Sequence, residues 1–306
     1  MSRVAVTGAT GMIGRAVCAG LFERGDTVLA LSRDPARARE SLGDGVEAHA
    51  WPEPGASPPP AAALAGADAV IHLLGEPIDQ RWSDDAKRRI RDSRVLSTRM
   101  LVAGLRELPD ADRPAALVSQ SATGFYGPSD ARELDERAPG GSDFLAKVVD
   151  AWEAEARAAS GLLRVAETRT GVVLSPSGGA LAKMLPFFRA GIGGPVAGGR
   201  QYVPWIHLED VVGALLMCAD SRQLDGPVNV TAPAPVTNGE LSRVLGRVLH
   251  RPAVLPVPAL ALRALYGEMS ELVTTGQRVI PKRLLDAGFE FRHAALEPAL
   301  RDVLGQ

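Results

Sequence analysis

The sequence predicts an α/β fold, a doubly wound parallel sheet carrying a smaller C-terminal lobe. Three observations lead there. Short runs that are apolar nearly throughout alternate with helical patterns over the first 170 residues. The first run leads into a turn with glycines spaced G-x-x-G-x-x-G, and that turn opens a helix. Beyond residue 174 the alternation breaks down into a stretch dense in glycine, proline and aromatic residues.

Taken in order, the apolar runs are RVAV (3–6), TVLALS (27–32), DAVIHLL (68–74), AALVS (115–119) and LRVAETR (163–169). A strand with one wet face alternates in polarity, whereas a strand covered on both faces does not. These runs therefore read as strands of a parallel sheet buried between helix layers. Helical patterns lie near 12–24, 83–107 and 143–160. Ser83 followed by Asp84 and Asp85 marks a helix start, with acids at the positive end of the dipole. The repeated β-α-β passage implies a doubly wound sheet. PEPGASPPP (52–60) is a surface loop, because proline and glycine break both periods. Residues 208–220 read as a helix, 227–231 as a strand, and TNGE (237–240) as a capping box opening another helix. Pro256, Pro258, Pro281 and Pro298 cut the tail, roughly 253–304, into short helices. The expected division is a nucleotide-binding domain over 1–174 with returning elements 205–231, and a substrate lobe mainly over 175–306. The lobe includes a distinct segment from about 250.

Bulk properties narrow the function classes. The chain has 306 residues, 46% of them apolar, enough for a sizeable core. A net charge of -2 without a basic patch argues against nucleic acid as a partner. Cys18 and Cys218 both fall in apolar helical runs and read as buried thiols, which fits a reducing compartment. The N-terminus enters a strand directly, with no basic-then-apolar leader, and no apolar run reaches the roughly 18 residues of a membrane span. A cytoplasmic setting, with no membrane partner, is expected. His49, His250 and His293 are scattered without metal-ligand spacing, so no metal is expected.

The turn VAVTGATGMIGRAV (4–17) carries the clearest chemistry. Gly8 permits the tight turn, Gly11 lets backbone approach a pyrophosphate, and Gly14 lets helix and strand pack closely. Thr10, Met12 and Ile13 complete the loop that would offer free N–H groups to that pyrophosphate. A bare glycine pattern is weak, but one placed between an N-terminal strand and an apolar helix is strong, and it makes the expected fold Rossmann-type. The second strand then ends Ser32-Arg33, where an acid would select NAD(H). Arg33 could pair with a 2′-phosphate and Ser32 could donate to it, so NADP(H) is favoured over NAD(H). The competing reading has Arg33 as a surface charge and Asp34 on the ribose, yet Asp34-Pro35 also reads as a helix N-cap. Leu74 and Gly75, after the strand at 68–74, would let backbone pass over the adenosine side.

The strand at 115–119 runs into SQSATGFYG (119–127). Hydroxyls at the carboxyl end of such a strand face the cofactor crevice, which makes Ser121 the first choice for a substrate hydrogen bond, with Thr123 and Tyr126 behind it. Local turn chemistry is the alternative use of each. Lys147 lies early in the next helix, where it could equally be an exposed lysine paired with Asp143 at i,i+4. Asp143 itself reads as a helix N-cap. Trp82, Phe187, Phe188 and Trp205 read as core or pocket wall, and His207 as a hydrogen-bonded tether.

TGATGMIG, SATGFYG, the Lys147 helix and WIHLEDVVGALL (205–216) together resemble the extended and atypical short-chain dehydrogenase/reductases. The longer stretches 81–102, 143–156 and 168–212 resemble one subgroup, the epimerase family proteins of the NAD-dependent epimerase/dehydratase superfamily, which includes bacterial YfcH-type members and ends in a segment of unknown function. The resemblance spans essentially the whole chain. It implies that Lys147 hydrogen-bonds the cofactor ribose, that Thr170 to Val173, including Val172, lie against the nicotinamide, and that homodimers through paired helices are possible. Two departures stand out: Asp143 replaces the usual active-site tyrosine, and Arg94 stands about where an asparagine is usual. An aspartate is a weaker base and shorter, so Tyr126 or a water held by Ser121 becomes the expected proton carrier. Arg94 could anchor an anionic group or pair with an acid. Two functional readings follow: an NADP(H)-dependent oxidoreductase or epimerase acting on a small carbonyl or hydroxyl substrate, or a catalytically weak NADP(H) sensor.

Overall fold

A computed structural model describes residues 1–129 and 131–306. Seven strands form the central sheet: β1 (Arg3–Thr7), β2 (Thr27–Ser32), β3 (Val46–Ala50), β4 (Ala69–His72), β5 (Ala116–Ala122), β6 (Arg164–Thr170) and β7 (Gly226–Val230). Their order is β7-β6-β5-β4-β1-β2-β3, and every neighbouring pair is parallel. The winding direction reverses between β1 and β4, which opens a crevice beyond the carboxyl ends of those strands. Strand β3 escaped the sequence reading. It is an edge strand with the sequence VEAHA, and only Val46 in it is fully buried, so it lacks the continuous apolar run of its neighbours.

Two helix layers cover the sheet. Helices α1 (Met12–Glu23) and α6 (Leu208–Asp220) bury Val17, Leu21, Val211 and Leu215 against Val4, Val6 and Val118. On the opposite face, α3 (Asp84–Glu107) and α4 (Phe144–Arg157) bury Leu101, Leu105 and Ala156 against Ala5, Leu117 and Val165. Alternate residues of each strand thus serve different cores, which explains why the runs are apolar throughout. Three expected caps form: Ser83 Oγ accepts the Ala86 N–H, Asp34 Oδ1 accepts the Arg37 N–H at the start of α2 (Pro35–Leu42), and Thr237 Oγ1 accepts the Glu240 N–H at the start of α7 (Asn238–Val248). Cys18 and Cys218 are buried and unbridged, and burial pushes both thiols up to about 12.

A third hydrophobic cluster lies on α5 (Gly179–Arg189), α7 and the helix Leu296–Val303, around Leu181, Phe188, Leu245 and Leu300. Trp205 is buried in it, whereas Phe187 points to solvent. Among the described residues, no helix is long and apolar enough to cross a membrane.

Candidate functional site

The glycine turn closes tightly at the β1–β4 switch point. Gly8 sits at φ +64°, and a Cβ there would lie 2.8 Å from the Leu73 carbonyl oxygen. A Cβ on Gly14 would lie 2.2 Å from the Gly8 carbonyl oxygen, so the start of α1 rests directly on the turn. Gly11 is different: it is exposed, it is the N-cap of α1 with no side-chain cap, and a Cβ there would meet only the Gly8 oxygen, at 3.2 Å. Free N–H groups of α1 therefore open onto the crevice, a ready site for phosphate oxygens. The Thr10 carbonyl holds the Arg15 guanidinium at 2.9 Å. Met12 and Ile13 are half-buried, and Gly178, ahead of α5, packs over Met12 Sδ.

A cleft of about 280 Å³ runs from this turn to the end of β2, lined by Thr10, Ser32, Arg33, Arg37, Trp51 and Leu74 among others. Ser32 Oγ accepts the Asp34 N–H at 3.1 Å and donates to the Asp34 carbonyl at 3.0 Å, so it shapes the turn. The Asp34 carboxylate is engaged as the α2 cap. Arg33 and Arg37 are exposed, and neither guanidinium bonds or ion-pairs with a described residue. Two unpaired cations on a small cleft, with the only nearby strand-end acid occupied, suit a phosphate rather than a ribose hydroxyl. Arg37 was missed from sequence. Its signal was its place in the first turn of the helix that Asp34-Pro35 opens, just past the strand end that carries Arg33.

Beneath the turn runs a buried polar chain that includes His72, a residue the sequence reading passed over. The Leu73 N–H donates to Thr7 Oγ1, Thr7 Oγ1 lies 2.8 Å from His72 Nδ1, and His72 Nε2 lies 3.0 Å from Thr98 Oγ1. Thr98 also accepts the Trp152 Nε1–H and donates to the Arg94 carbonyl. These partners assign the neutral Nε2–H tautomer, and full burial lowers the imidazole to about 3. Past it, Arg94 packs over Gly75 and donates to the carbonyls of Glu76 and Ile90. Burial lowers its guanidinium to about 10. Arg94 is thus a backbone clamp, a role neither sequence reading gave it.

The β5 end departs most from expectation. Ser121 is buried, and its hydroxyl donates to Glu153 Oε1 at 2.6 Å on the α4 side of the sheet. Glu153 is held by Arg169 through two contacts of 2.8 Å. Arg169 stacks on the Phe125 ring at 3.5 Å and donates to the Tyr126 hydroxyl at 3.1 Å. That hydroxyl in turn donates to Asn229 Oδ1 at 2.7 Å, and burial raises it to about 12. Both hydroxyls nominated for substrate chemistry are spent inside this network. Ser121 joins it because residues 119, 121, 167 and 169 share one face of β5 and β6 by parallel register, and Tyr126 joins it from the 3₁₀ turn that follows β5. Glu167, beside Glu153, is raised to about 7 by burial and by that neighbouring charge. Thr123 is buried at the start of a 3₁₀ turn.

Asp143 is the N-cap of α4: its Oδ1 accepts the Leu145 and Ala146 N–H groups. Its other oxygen is buried against Gly127 without a hydrogen-bond partner among the described residues, and it makes no ion pair with Lys147. Lys147 is exposed with its ammonium unpaired among the described residues. Thr170 is buried and donates to the Thr168 carbonyl, while the Val172 N–H donates to the Pro204 carbonyl.

On the far side, His207 caps α6 by accepting the Glu209 N–H on Nδ1 at 3.2 Å, which agrees with a tether. The fold brings His293 onto it, the rings stacked at 3.7 Å, with His293 Nε2 3.2 Å from Glu209 and His207 Nε2 3.1 Å from Asp302. Two imidazoles and two carboxylates can hold a metal, but an imidazole that accepts on Nδ1 keeps its proton on Nε2 and offers no lone pair there. The cluster works as a clasp for the C-terminal tail, helped by Asp210, which accepts the N–H groups of Arg292 and His293.

Comparison with known proteins places this geometry. The NAD dependent epimerase/dehydratase family model matches residues 4–231, and a Domain of unknown function (DUF1731) matches residues 257–303. Epimerase family protein MT2273 of Mycobacterium tuberculosis is 43% identical, over 97% of this chain and 96% of its own. The Arabidopsis thaliana protein described as a chloroplastic homolog of epimerase family protein SDR39U1 is 39% identical, over 98% of this chain and 86% of its own. The crystal structure of human epimerase family protein SDR39U1 with NADPH superimposes with a TM-score of 0.89 at 35% identity, over 99% of both chains. With its glycine turn at the switch point of a parallel sheet, this chain belongs to the NAD-dependent epimerase/dehydratase family.

Proposed function

We propose that this protein binds NADP(H) across the β1–β4 switch point and uses it in redox chemistry on a small carbonyl or hydroxyl substrate. The observation that carries the reading is the cleft at the end of β2, where Arg33 and Arg37 are unpaired while Asp34 is occupied as a cap. The NADPH in the human relative's structure supports the same choice. In this reading Gly8, Thr10, Gly11, Met12, Ile13 and Gly14 cradle the pyrophosphate. Arg33 and Arg37 take the 2′-phosphate, with Ser32 shaping the turn between them. Leu74 and Gly75 pass over the adenosine side, Lys147 holds the ribose hydroxyls, and Thr170 and Val172 line the nicotinamide end. When bound, the cofactor supplies the hydride. Residues 1–174 with 205–231 form the cofactor part, and 175–306 mainly the substrate part.

A second reading, an NADP(H)-responsive binding protein, is favoured by one observation. The family-type tyrosine is absent, and Ser121 and Tyr126 are locked in the Glu153–Arg169 network. A reductase then needs its proton from Lys147 or from water beside it.

Fluorescence titration with NADPH and NADH tests the cofactor assignment. NADPH should bind at least about tenfold more tightly, and Arg33→Ala or Arg37→Ala should each weaken NADPH by about tenfold, the worth of a charge-assisted phosphate contact, while leaving NADH unchanged. Equal NADPH affinity in both variants would overturn it. Turnover on a panel of small carbonyls separates the two readings: oxidation of bound NADPH supports the reductase, and none with any substrate supports the sensor.

A further inference from the structure

The C-terminal segment contains a stretch that is tied down at both ends and scarcely packed between them. At one end, Val257 donates to the Pro195 carbonyl at 2.9 Å and accepts the Ala197 N–H at 3.0 Å. Pro256 and Pro258 flank this anchor. At the other end, Gln277 donates through its backbone N–H to Tyr202 at 3.2 Å and through Nε2 to the Gly127 carbonyl at 2.9 Å, while Gly276 accepts the Ser129 N–H. Between the anchors, helix α8 (Ala259–Tyr266) buries none of its residues, and only Met269 and Ser270 of residues 258–275 are buried. Leu260, Leu265 and Tyr266 are exposed. Few buried contacts between two fixed ends describe a unit that opens locally at low cost.

The middle of this stretch reaches the crevice mouth. Glu268 pairs with Lys87 in the first turn of α3, and Gly267 lies beside Arg81. Lys87 Nζ also stands 5.2 Å from the ring centre of Phe144, the first residue of α4, which meets Trp82 edge-on at 5.2 Å. The N-termini of α3 and α4 lie at the carboxyl edge of the sheet, where the crevice opens, and Phe144 is one turn from Lys147. We propose that residues 258–275 are a gate over this mouth, hinged at residues 256–257 and 275–276 and latched by Glu268 on Lys87. Its closing would shield the nicotinamide end from water, as lids on such crevices do. The gate rests on the NADP(H) reading for what it retains.

The test uses the full chain in four forms: wild type, Lys87→Ala, Glu268→Ala and the charge-swapped pair Lys87→Glu with Glu268→Lys. Hydrogen exchange without ligand should be about two- to fivefold faster across 258–275 in the single variants, the scale of an exposed ion pair, and restored in the swap. Exchange at 276–280 should not change. NADPH dissociation, followed by stopped-flow fluorescence, should speed up by a similar factor and recover in the swap. Unchanged exchange would remove the latch. Faster exchange with an unaltered off-rate would show a loose strap that guards nothing, and would overturn the gate alone. Failure of every form to bind NADPH would overturn the cofactor reading and the gate with it.

Discussion

At the β1–β2 end of the crevice the working groups are backbone N–H donors and two unpaired guanidiniums, whereas at the β5–β6 end they are side chains bound to one another. Both corners belong to the same carboxyl edge of one sheet. The first corner is built from residues close in sequence: a turn, a cap, and two arginines on either side of that cap. The second depends on partners far along the chain, such as Ser121 with Glu153, 32 residues away, and Tyr126 with Asn229, 103 residues away. An open corner is poised for a ligand, and a satisfied one is poised for stability. The difference shows that a strand-end hydroxyl signals function only when no buried partner claims it.

Five experiments would break or sharpen that contrast. Within the closed corner the largest effect is expected from Arg169→Ala, which takes the buried guanidinium from Glu153, leaves it only the partly exposed Arg157 at 3.3 Å, and should cost about 3 kcal/mol in urea unfolding. A loss under about 1 kcal/mol would mean the network carries little stability. At the open corner, Gly11→Val should leave stability within about 1 kcal/mol while weakening NADPH at least about 100-fold, the worth of one or two phosphate hydrogen bonds. Gly14→Val should disrupt the fold itself, because its Cβ would meet the Gly8 carbonyl at 2.2 Å. If Gly11→Val binds NADPH normally, the turn is not the pyrophosphate site. Ser121→Ala should lower stability by about 1–2 kcal/mol with NADPH affinity unchanged. A selective loss of turnover instead would return Ser121 to the reaction.

The most gradual effect is a slope with pH. His72 titrates near 3 in the native protein against 6.5 in the unfolded chain, so between those values the unfolded chain binds a proton that the folded one refuses. Its contribution is complete above pH 6.5 and is lost as the pH falls toward 3, at up to about 1.4 kcal/mol per pH unit. Unfolding midpoints measured from pH 7 to pH 4 should show this slope, and His72→Asn should flatten it. An equal slope in the variant would assign the acid sensitivity to other groups.

The sequence by itself determined the sheet, its winding and the glycine turn, because these follow from short-range rules: apolar runs buried on two faces, caps that begin helices, and glycines where no Cβ fits. Ser83, Asp34 and Asp143 were legible as caps for the same reason. Strand β3 was not, since an edge strand needs no continuous apolar run. Nor were the fates of Ser121, Tyr126 and Arg94, whose chemistry was set by neighbours that parallel register and helix packing brought to them. The pairing of His293 with His207 was equally hidden, the two residues lying in separate segments that meet only when the C-terminal tail docks. Tertiary structure alone decided which polar groups remain free, because burial compels a polar side chain to find a partner wherever the fold supplies one, and only those left unpaired at the crevice can answer to a ligand.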